Sequence, residues 1–99
     1  MKTIYKYPLS LNDSFTLNLP YGHDTLDIQI QNDTPVLWAM VDTENETREV
    51  RFKVVGTGWS IEKAHSNNYF VVDDKCSGWY TYVATIQWRG FVWHIFEEH

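Results

Sequence analysis

The sequence predicts an all-β fold, a compact sandwich or small barrel built from seven to eight mostly antiparallel strands. Apolar and polar residues alternate with a period of two in one segment after another, and β-branched and aromatic residues fill these segments. Clusters of glycine, proline, asparagine and aspartate separate the segments, as turns between strands do. A helical period is scarcely present, and 99 residues suit one core, so we expect a single domain over residues 1–99.

The first half of the chain predicts four strands, at residues 3–9, 15–19, 26–31 and 36–41. Pro8 marks the first strand as short or peripheral, because proline is confined to strand ends, edges and bulges. Leu26, Ile28 and Ile30 are expected to share one face of the third strand, which a turn at Asn32 joins to the fourth in a hairpin. The fourth strand is apolar at every position. It is therefore either a central strand covered on both faces or a strand whose outer face meets a partner.

The second half predicts strands at residues 50–54, 69–72, 79–88 and 91–96, with loops at residues 42–47 and 59–68. The strand at residues 50–54 runs into a glycine-rich turn. The last two strands form a hairpin around Arg89 and Gly90. Strict alternation places five side chains of the first arm on one face: Tyr80, Tyr82, Ala84, Ile86 and Trp88.

The composition argues against several classes of partner. Thirteen acidic and eight basic residues give a formal charge of -5, which opposes binding to duplex DNA or RNA. Cys76 is the only cysteine, so the chain has no internal disulfide and a reducing cytoplasm is the expected compartment. No signal-like apolar segment follows Met1, and no apolar run reaches the about 20 residues of a membrane helix. Neither a membrane nor a cofactor is expected.

Three motifs stand out in combination: TIYKYPL at residues 3–9, VGTG at residues 55–58 and FVWHIFE at residues 91–97. With them, nearly the whole chain resembles a family of small phage and prophage proteins of uncharacterised function. The resemblance implies a phage-encoded accessory protein in the cytoplasm of the bacterial host. It supplies no catalytic residues.

The turn at Gly58 is the first candidate binding feature. Its backbone N–H groups are candidates for an anion-binding nest, to which Thr57 adds a hydroxyl and Trp59 a stacking surface. The alternative is a plain strand-ending turn, because the lysine and the length of a phosphate-binding Walker loop are missing. Arg51 and Lys53 share the polar face of the preceding strand, where they either meet a phosphate or pair with acidic neighbours.

The aromatic residues, 16% of the chain, exceed what a small core requires. Some are expected to line a pocket or a subunit interface, and the others to fill the core. The pattern does not assign Tyr7, Trp59 or Trp88 to the core, and a base could stack on Trp88. His94 lies on the strand face opposite Trp93. It is either a structural histidine with a hydrogen-bond partner or a ligand-binding or general-base residue.

These observations favour a protein that binds and sequesters a small ligand, and the phage resemblance suggests a host immune signalling nucleotide in an anti-defence role. The expected ligand-binding residues are Arg51, Lys53, Thr57, Gly58, Trp59, Trp88 and His94. The alternative is a structural or host-protein-binding role without a small ligand. An enzyme such as a nucleotide phosphodiesterase ranks third, because no metal-ligand spacing and no activated nucleophile stand out. The aromatic content and the doubly apolar strand also predict a homo-oligomer.

Overall fold

The structure is a computed structural model that describes residues 1–58, 62–63, 69–71 and 80–99. In these ranges the only regular secondary structure is the β-strand, and the strands pair antiparallel, which confirms the predicted all-β fold. The strands are β1 (Lys2–Pro8), β2 (Ser14–Pro20), β3 (Asp24–Gln31), β4 (Thr34–Asp42), β5 (Thr47–Gly56), β6 (Glu62–Lys63), β7 (Tyr69–Val71), β8 (Tyr80–Trp88) and β9 (Phe91–Glu98). Within the described parts of the chain, no helix has the length and apolar character that crossing a membrane requires.

Two sheets pack face to face around one main core. The smaller sheet has the strand order β1-β4-β3, and the larger has the order β2-β5-β9-β8-β7-β6. Leu37 and Ala39 of the smaller sheet and Phe52 and Ile95 of the larger sheet are completely buried in the shared core. The architecture is therefore a sandwich, one of the two forms that the sequence predicts.

Two tight hairpin turns lie at the same end of the sandwich. Asn32 and Asp33, between β3 and β4, have φ angles of 51° and 62°. Arg89 and Gly90, between β8 and β9, have φ angles of 51° and 83°. Two successive residues with positive φ are typical of the turns that match the twist of paired strands, so both predicted hairpins are confirmed.

β1 and β4 behave as their sequences predict. β1 is an edge strand, and Pro8 is its last residue, where a missing N–H costs no ladder hydrogen bond. β4 is the central strand of its sheet, and its core face is fully buried. On its outer face Met40 is 38% exposed, so this face is only partly covered.

A β-bulge in β3 changes the predicted alternation. β3 pairs with β4 through Thr25 and again through Asp27, so Leu26 is an extra residue between them. Ile28 is buried, whereas Leu26 is 45% exposed. The expectation that Leu26 shares the buried face of Ile28 is wrong, because one inserted residue shifts the period-two pattern by one position.

A second bulge lies in β8. Tyr82 and Ala84 pair with consecutive residues of β9, so Val83 is the extra residue. Tyr82 is 51% exposed on the outer face of the large sheet, whereas Ala84 is buried in the core. The expectation of a single face for the alternate side chains of β8 is therefore wrong for Tyr80 and Tyr82.

Two further boundaries differ from the sequence prediction. β5 begins at Thr47, three residues before the predicted start at Val50, because its polar first residues pair with β2. The loop predicted at residues 59–68 contains the short strand β6, which pairs with β7. The rest of that loop lies outside the described residues. The short strand predicted at residues 69–72 is confirmed as β7.

Two leucine variants test this core. Leu37→Ala removes a fully buried side chain and should lower the free energy of unfolding by about 2–5 kcal/mol. Leu26→Ala changes the same side chain at the exposed bulge and should alter that free energy by about 0.5 kcal/mol or less. Urea denaturation followed by tryptophan fluorescence measures both. Equal losses would contradict the assignment of Leu26 to the surface.

Candidate functional site

Four of the predicted ligand-binding residues lie on or beside the outer face of the large sheet. Because Phe52 and Ile95 face the core, alternation directs Arg51, Lys53 and His94 away from it. Lys53 pairs with Phe96 on β9, two positions from the pair that contains His94. Thr57 follows β5 and reaches His94 with its hydroxyl.

Arg51 lies farther along this face, toward the end of β9. Its Nε is 3.7 Å from Oε2 of Glu98, and its side chain is 57% exposed. It lines a hollow of about 250 Å³ together with Arg48, Glu49 and Glu98. An exposed pair of this kind contributes about 1 kcal/mol or less to stability. Arg51 thus lies beside an acidic residue. Pairing with acidic neighbours is one of the two roles that the sequence left open.

His94 has a hydroxyl at each ring nitrogen. The Thr57 Oγ1 lies 2.8 Å from Nε2, and the Thr85 Oγ1 lies 2.9 Å from Nδ1. The Tyr82 hydroxyl continues the chain at 2.6 Å from the Thr85 Oγ1. A neutral imidazole carries one N–H, so one threonine donates to the ring and the other accepts from it. His94 therefore has the hydrogen-bond partners that the structural interpretation requires.

The pair formed by Thr57 and His94 has the distance of a hydroxyl and its general base. In nucleophilic sites a third group, usually a carboxylate, orients the base. Here the second ring nitrogen meets the hydroxyl of Thr85, which can orient the ring but brings no negative charge. Within the described ranges, no three His, Cys, Asp or Glu side chains form a group that could hold a metal ion.

The turn after β5 has one feature of the predicted anion-binding nest, a glycine with a positive φ. Gly58 has a φ of 90°, a conformation that favours glycine, and a Cβ built there would meet no atom within 4 Å. The Thr57 hydroxyl is engaged by His94. Trp59, the predicted stacking surface, lies outside the described residues.

A different group of residues forms a groove at the hairpin end of the sandwich. We call this the Trp88 groove; it consists of two adjoining hollows lined by residues 9–13, residues 33–35, Val54, Trp88, Arg89 and Trp93. The hollows measure about 160 Å³ and 310 Å³. Both are lined by Leu11, Asn12 and Trp88, so Trp88 stands between them.

The indole of Trp88 is fixed at this position. Its Nε1 donates to the carbonyl oxygen of Asp33 at 3.0 Å. The guanidinium carbon of Arg89 lies over the indole, 4.3 Å from the ring centroid, and Arg89 Nη2 is 3.9 Å from Oδ2 of Asp33. These contacts connect the two hairpin turns and hold the indole in one position. Trp88 therefore forms a fixed wall of the groove.

The two hollows differ in chemistry. The smaller one is mainly apolar, with walls from Leu11, Val54 and Trp93. The larger one is bordered by loop residues that carry hydroxyl, amide and carboxylate groups. Arg89 is the cation of the groove, and Asp13 and Asp33 are its carboxylates. A flat ring with hydrogen-bonding edges fits this combination better than a polyanion does.

Tyr7 is outside the groove. It is half-buried against the main core, and its ring centroid lies 6.5 Å from that of Tyr5. Burial, and to a lesser degree the neighbouring Tyr5, raise the pKa of the Tyr7 phenol above its usual value. Tyr7 therefore contributes to packing.

A buried polar cluster at the opposite end joins the two sheets. His23 Nε2 lies 2.9 Å from Oε2 of Glu97, and their side chains are only 4% and 7% exposed. Thr25 donates its hydroxyl to the other carboxylate oxygen of Glu97. Sequence reasoning missed this cluster, although Glu97 follows Ile95 on the core face of β9 and an acidic residue there needs partners.

The sequence analysis identified Trp88 but missed most other residues of its groove. Leu11 and Asn12 belong to the connection between β1 and β2, and Asp33 and Arg89 belong to turns. The sequence does predict both turns, because each of them joins the two strands of a predicted hairpin. Only the packing of the sheets places these turns side by side.

A family model described as a domain of unknown function, DUF7352, matches residues 1–99. No curated protein and no solved structure shows a significant match.

Glu97 provides a test of the cluster at the opposite end. Glu97→Ala leaves the buried ring of His23 and the partly buried hydroxyl of Thr25 without their acceptor and should lower the free energy of unfolding by about 1–3 kcal/mol. Glu49→Ala removes an exposed carboxylate and should change it by about 0.5 kcal/mol or less. Urea denaturation gives both values. A loss no larger for Glu97→Ala than for Glu49→Ala would contradict a structural role.

Proposed function

The chain belongs to the DUF7352 family, whose description assigns no activity, and we propose that it binds and sequesters a small ring-bearing ligand in the Trp88 groove. The observation that carries this proposal is the fixed indole between two adjoining hollows. An aromatic wall offers stacking, and polar groups from the surrounding loops offer orientation.

The dimensions of the groove limit the ligand. The larger hollow, of about 310 Å³, is at the lower end of the range for small-molecule sites. A mononucleotide, or one half of a cyclic dinucleotide, has the right size. Its base would stack at Trp88, and Arg89 would face a phosphate. The acidic Asp13 and Asp33 disfavour a ligand with several unshielded phosphates.

The biological role follows from the resemblance to phage proteins. A phage-encoded protein that traps a host immune signalling nucleotide in the cytoplasm would prevent the defence system from being activated. Trapping requires affinity and abundance, and no chemical step. The side chains around the groove supply stacking and hydrogen-bonding surfaces of the kind that binding needs.

A second candidate function is docking onto another protein. The smaller sheet exposes apolar side chains on its outer face, among them Ile4 at 53% and Met40 at 38%. Apolar side chains that cluster on one surface are typical of interaction sites. This face lies on a different part of the sandwich from the groove.

The ligand proposal is tested by native mass spectrometry and calorimetry. The purified protein is incubated with cyclic dinucleotides, with cyclic ADP-ribose, and with the matching uncharged nucleosides. We expect at least one nucleotide to bind and to be released unchanged on denaturation. A released ligand that is chemically altered would indicate an enzyme, and binding of none of the probes would contradict the proposal.

Matched variants then locate the site. Asn12→Phe places a ring into both hollows and should weaken binding by about tenfold or more, because the ligand and the new ring compete for the same space. Asn18→Phe makes the same change at an exposed position of β2 that does not line the groove, and should leave affinity unchanged. An equal loss of affinity in both variants would contradict the placement of the ligand site in the groove.

Arg89→Asn tests the phosphate contact. Asparagine tolerates the positive φ of this position, so the turn should be kept while the cation is lost. Affinity for the nucleotide should fall, and affinity for the matching nucleoside should not change. Thermal unfolding provides the control for an intact fold.

A further inference from the structure

In the described part of the chain, two threonine hydroxyls lie at hydrogen-bond distance from a histidine ring. The Thr57 Oγ1 is 2.8 Å from Nε2 of His94, and the Thr81 Oγ1 is 2.7 Å from Nε2 of His99. Both distances are those of a hydroxyl and a base that can take its proton. The two pairs differ in how the imidazole is held.

The ring of His94 is held at both of its nitrogens. Its Nδ1 is 2.9 Å from the Oγ1 of Thr85, which is also its direct partner in the register of β8 and β9. Thr85 is in turn held by the hydroxyl of Tyr82, at 2.6 Å from its Oγ1. The imidazole is therefore fixed between Thr57 at the end of β5 and Thr85 on β8.

The ring of His99 is held at one nitrogen only. Within the described residues, its second ring nitrogen has no hydrogen-bond partner. The ring can therefore turn away from Thr81, and a base assists a hydroxyl only while the two keep their geometry. The pair of Thr81 and His99 is thus a natural control for the pair of Thr57 and His94.

The hydroxyl of Thr57 is accessible to a small molecule. Thr57 is exposed, whereas the ring of His94 is partly buried. Gly58, the next residue, is exposed as well, and a Cβ built there would meet no atom within 4 Å. There is therefore open space beside the hydroxyl.

We propose that Thr57 is a nucleophilic site that accepts an acyl group from an activated ester. His94 is its general base, and Thr85 is the residue that positions the imidazole. A hydroxyl paired with an oriented imidazole performs acyl transfer in proteins of unrelated fold. This site is separate from the Trp88 groove, and its chemistry goes beyond the sequestration of a ligand.

The proton follows the hydrogen bonds of the site. In the reactive tautomer, the Nδ1–H of His94 donates to Thr85 and Nε2 accepts from Thr57. The Thr57 Oγ1 attacks the carbonyl carbon of the ester, and its proton passes to Nε2. The bond between that carbon and the leaving oxygen then breaks, and the leaving oxygen takes the proton from Nε2. The products are an ester on Thr57 and a free alcohol, and His94 is neutral again.

The partner of Nδ1 limits the class of substrate. Thr85 offers a hydroxyl dipole, and the carboxylate of a catalytic triad offers a full negative charge. The imidazolium that forms during the reaction is therefore stabilised less than in a triad. An ester with a good leaving group, such as a phenyl ester, suits this site better than an amide does.

Acetylation by p-nitrophenyl acetate tests the proposal. The full chain is incubated with the ester and quenched in acid, and peptide mass spectrometry locates the acetyl group. We expect acetylation of Thr57 and not of Thr81. His94→Gln should slow acetylation of Thr57 by about 100-fold, as the loss of a general base does, and His99→Gln should leave its rate unchanged.

Two variants of Thr85 test its positioning role. Thr85→Val removes the partner of the ring nitrogen and should slow acetylation of Thr57 by about tenfold or more, because the imidazole is no longer oriented. Thr85→Ser keeps the hydroxyl and should restore the rate. Thermal unfolding of each variant provides the control for an intact fold.

Equal acetylation of Thr57 and Thr81, or no acetylation of Thr57, would overturn the proposal. An unchanged rate in folded His94→Gln would overturn it as well. If His94→Gln does not fold, the comparison of the two threonines in the unmodified chain decides. None of these residues lines the Trp88 groove, so failure of acylation and failure of ligand binding are separate results.

Discussion

The packing of the smaller sheet on the larger one is the constraint from which the other features follow. Leu37 and Ala39 on one side, and Phe52 and Ile95 on the other, are completely buried, and a fully buried leucine or phenylalanine contributes about 1.5–3 kcal/mol. This packing fixes how the ends of the two hairpins are placed relative to each other. It brings the turn at Asp33 next to the turn after β8, and the Trp88 groove is the space that remains between them and the β1–β2 connection.

Two β-bulges determine on which side of each sheet a polar side chain lies. The bulge at Leu26 turns Thr25 toward the interior, where its hydroxyl meets Glu97. The bulge at Val83 turns Tyr82 to the outer face, where its hydroxyl joins the series of hydrogen bonds that includes His94. In both cases one additional residue moves a polar group to the side where a partner lies, while the apolar residues beyond the bulge keep their place in the core.

The groove and the outer face of the smaller sheet are separate surfaces that differ in shape and in the elements that form them. The groove is concave, is framed by loops and holds a fixed indole, as small-ligand sites do. The outer face is a strand surface on which Ile4 and Met40 are exposed and are direct partners in the register. The residues that line the groove are different from those of the outer face.

The sequence by itself determined the all-β class, most strand positions and both hairpins, because period-two alternation and turn residues are local signals. It also singled out Trp88 and the choice of roles for His94. Only the tertiary structure decided which faces Leu26 and Tyr82 occupy, since a bulge depends on the register of the neighbouring strand. The partners of Trp88 and of Glu97 were likewise decided by the packing of the sheets, because residues more than fifty positions apart meet only when two sheets close on one core.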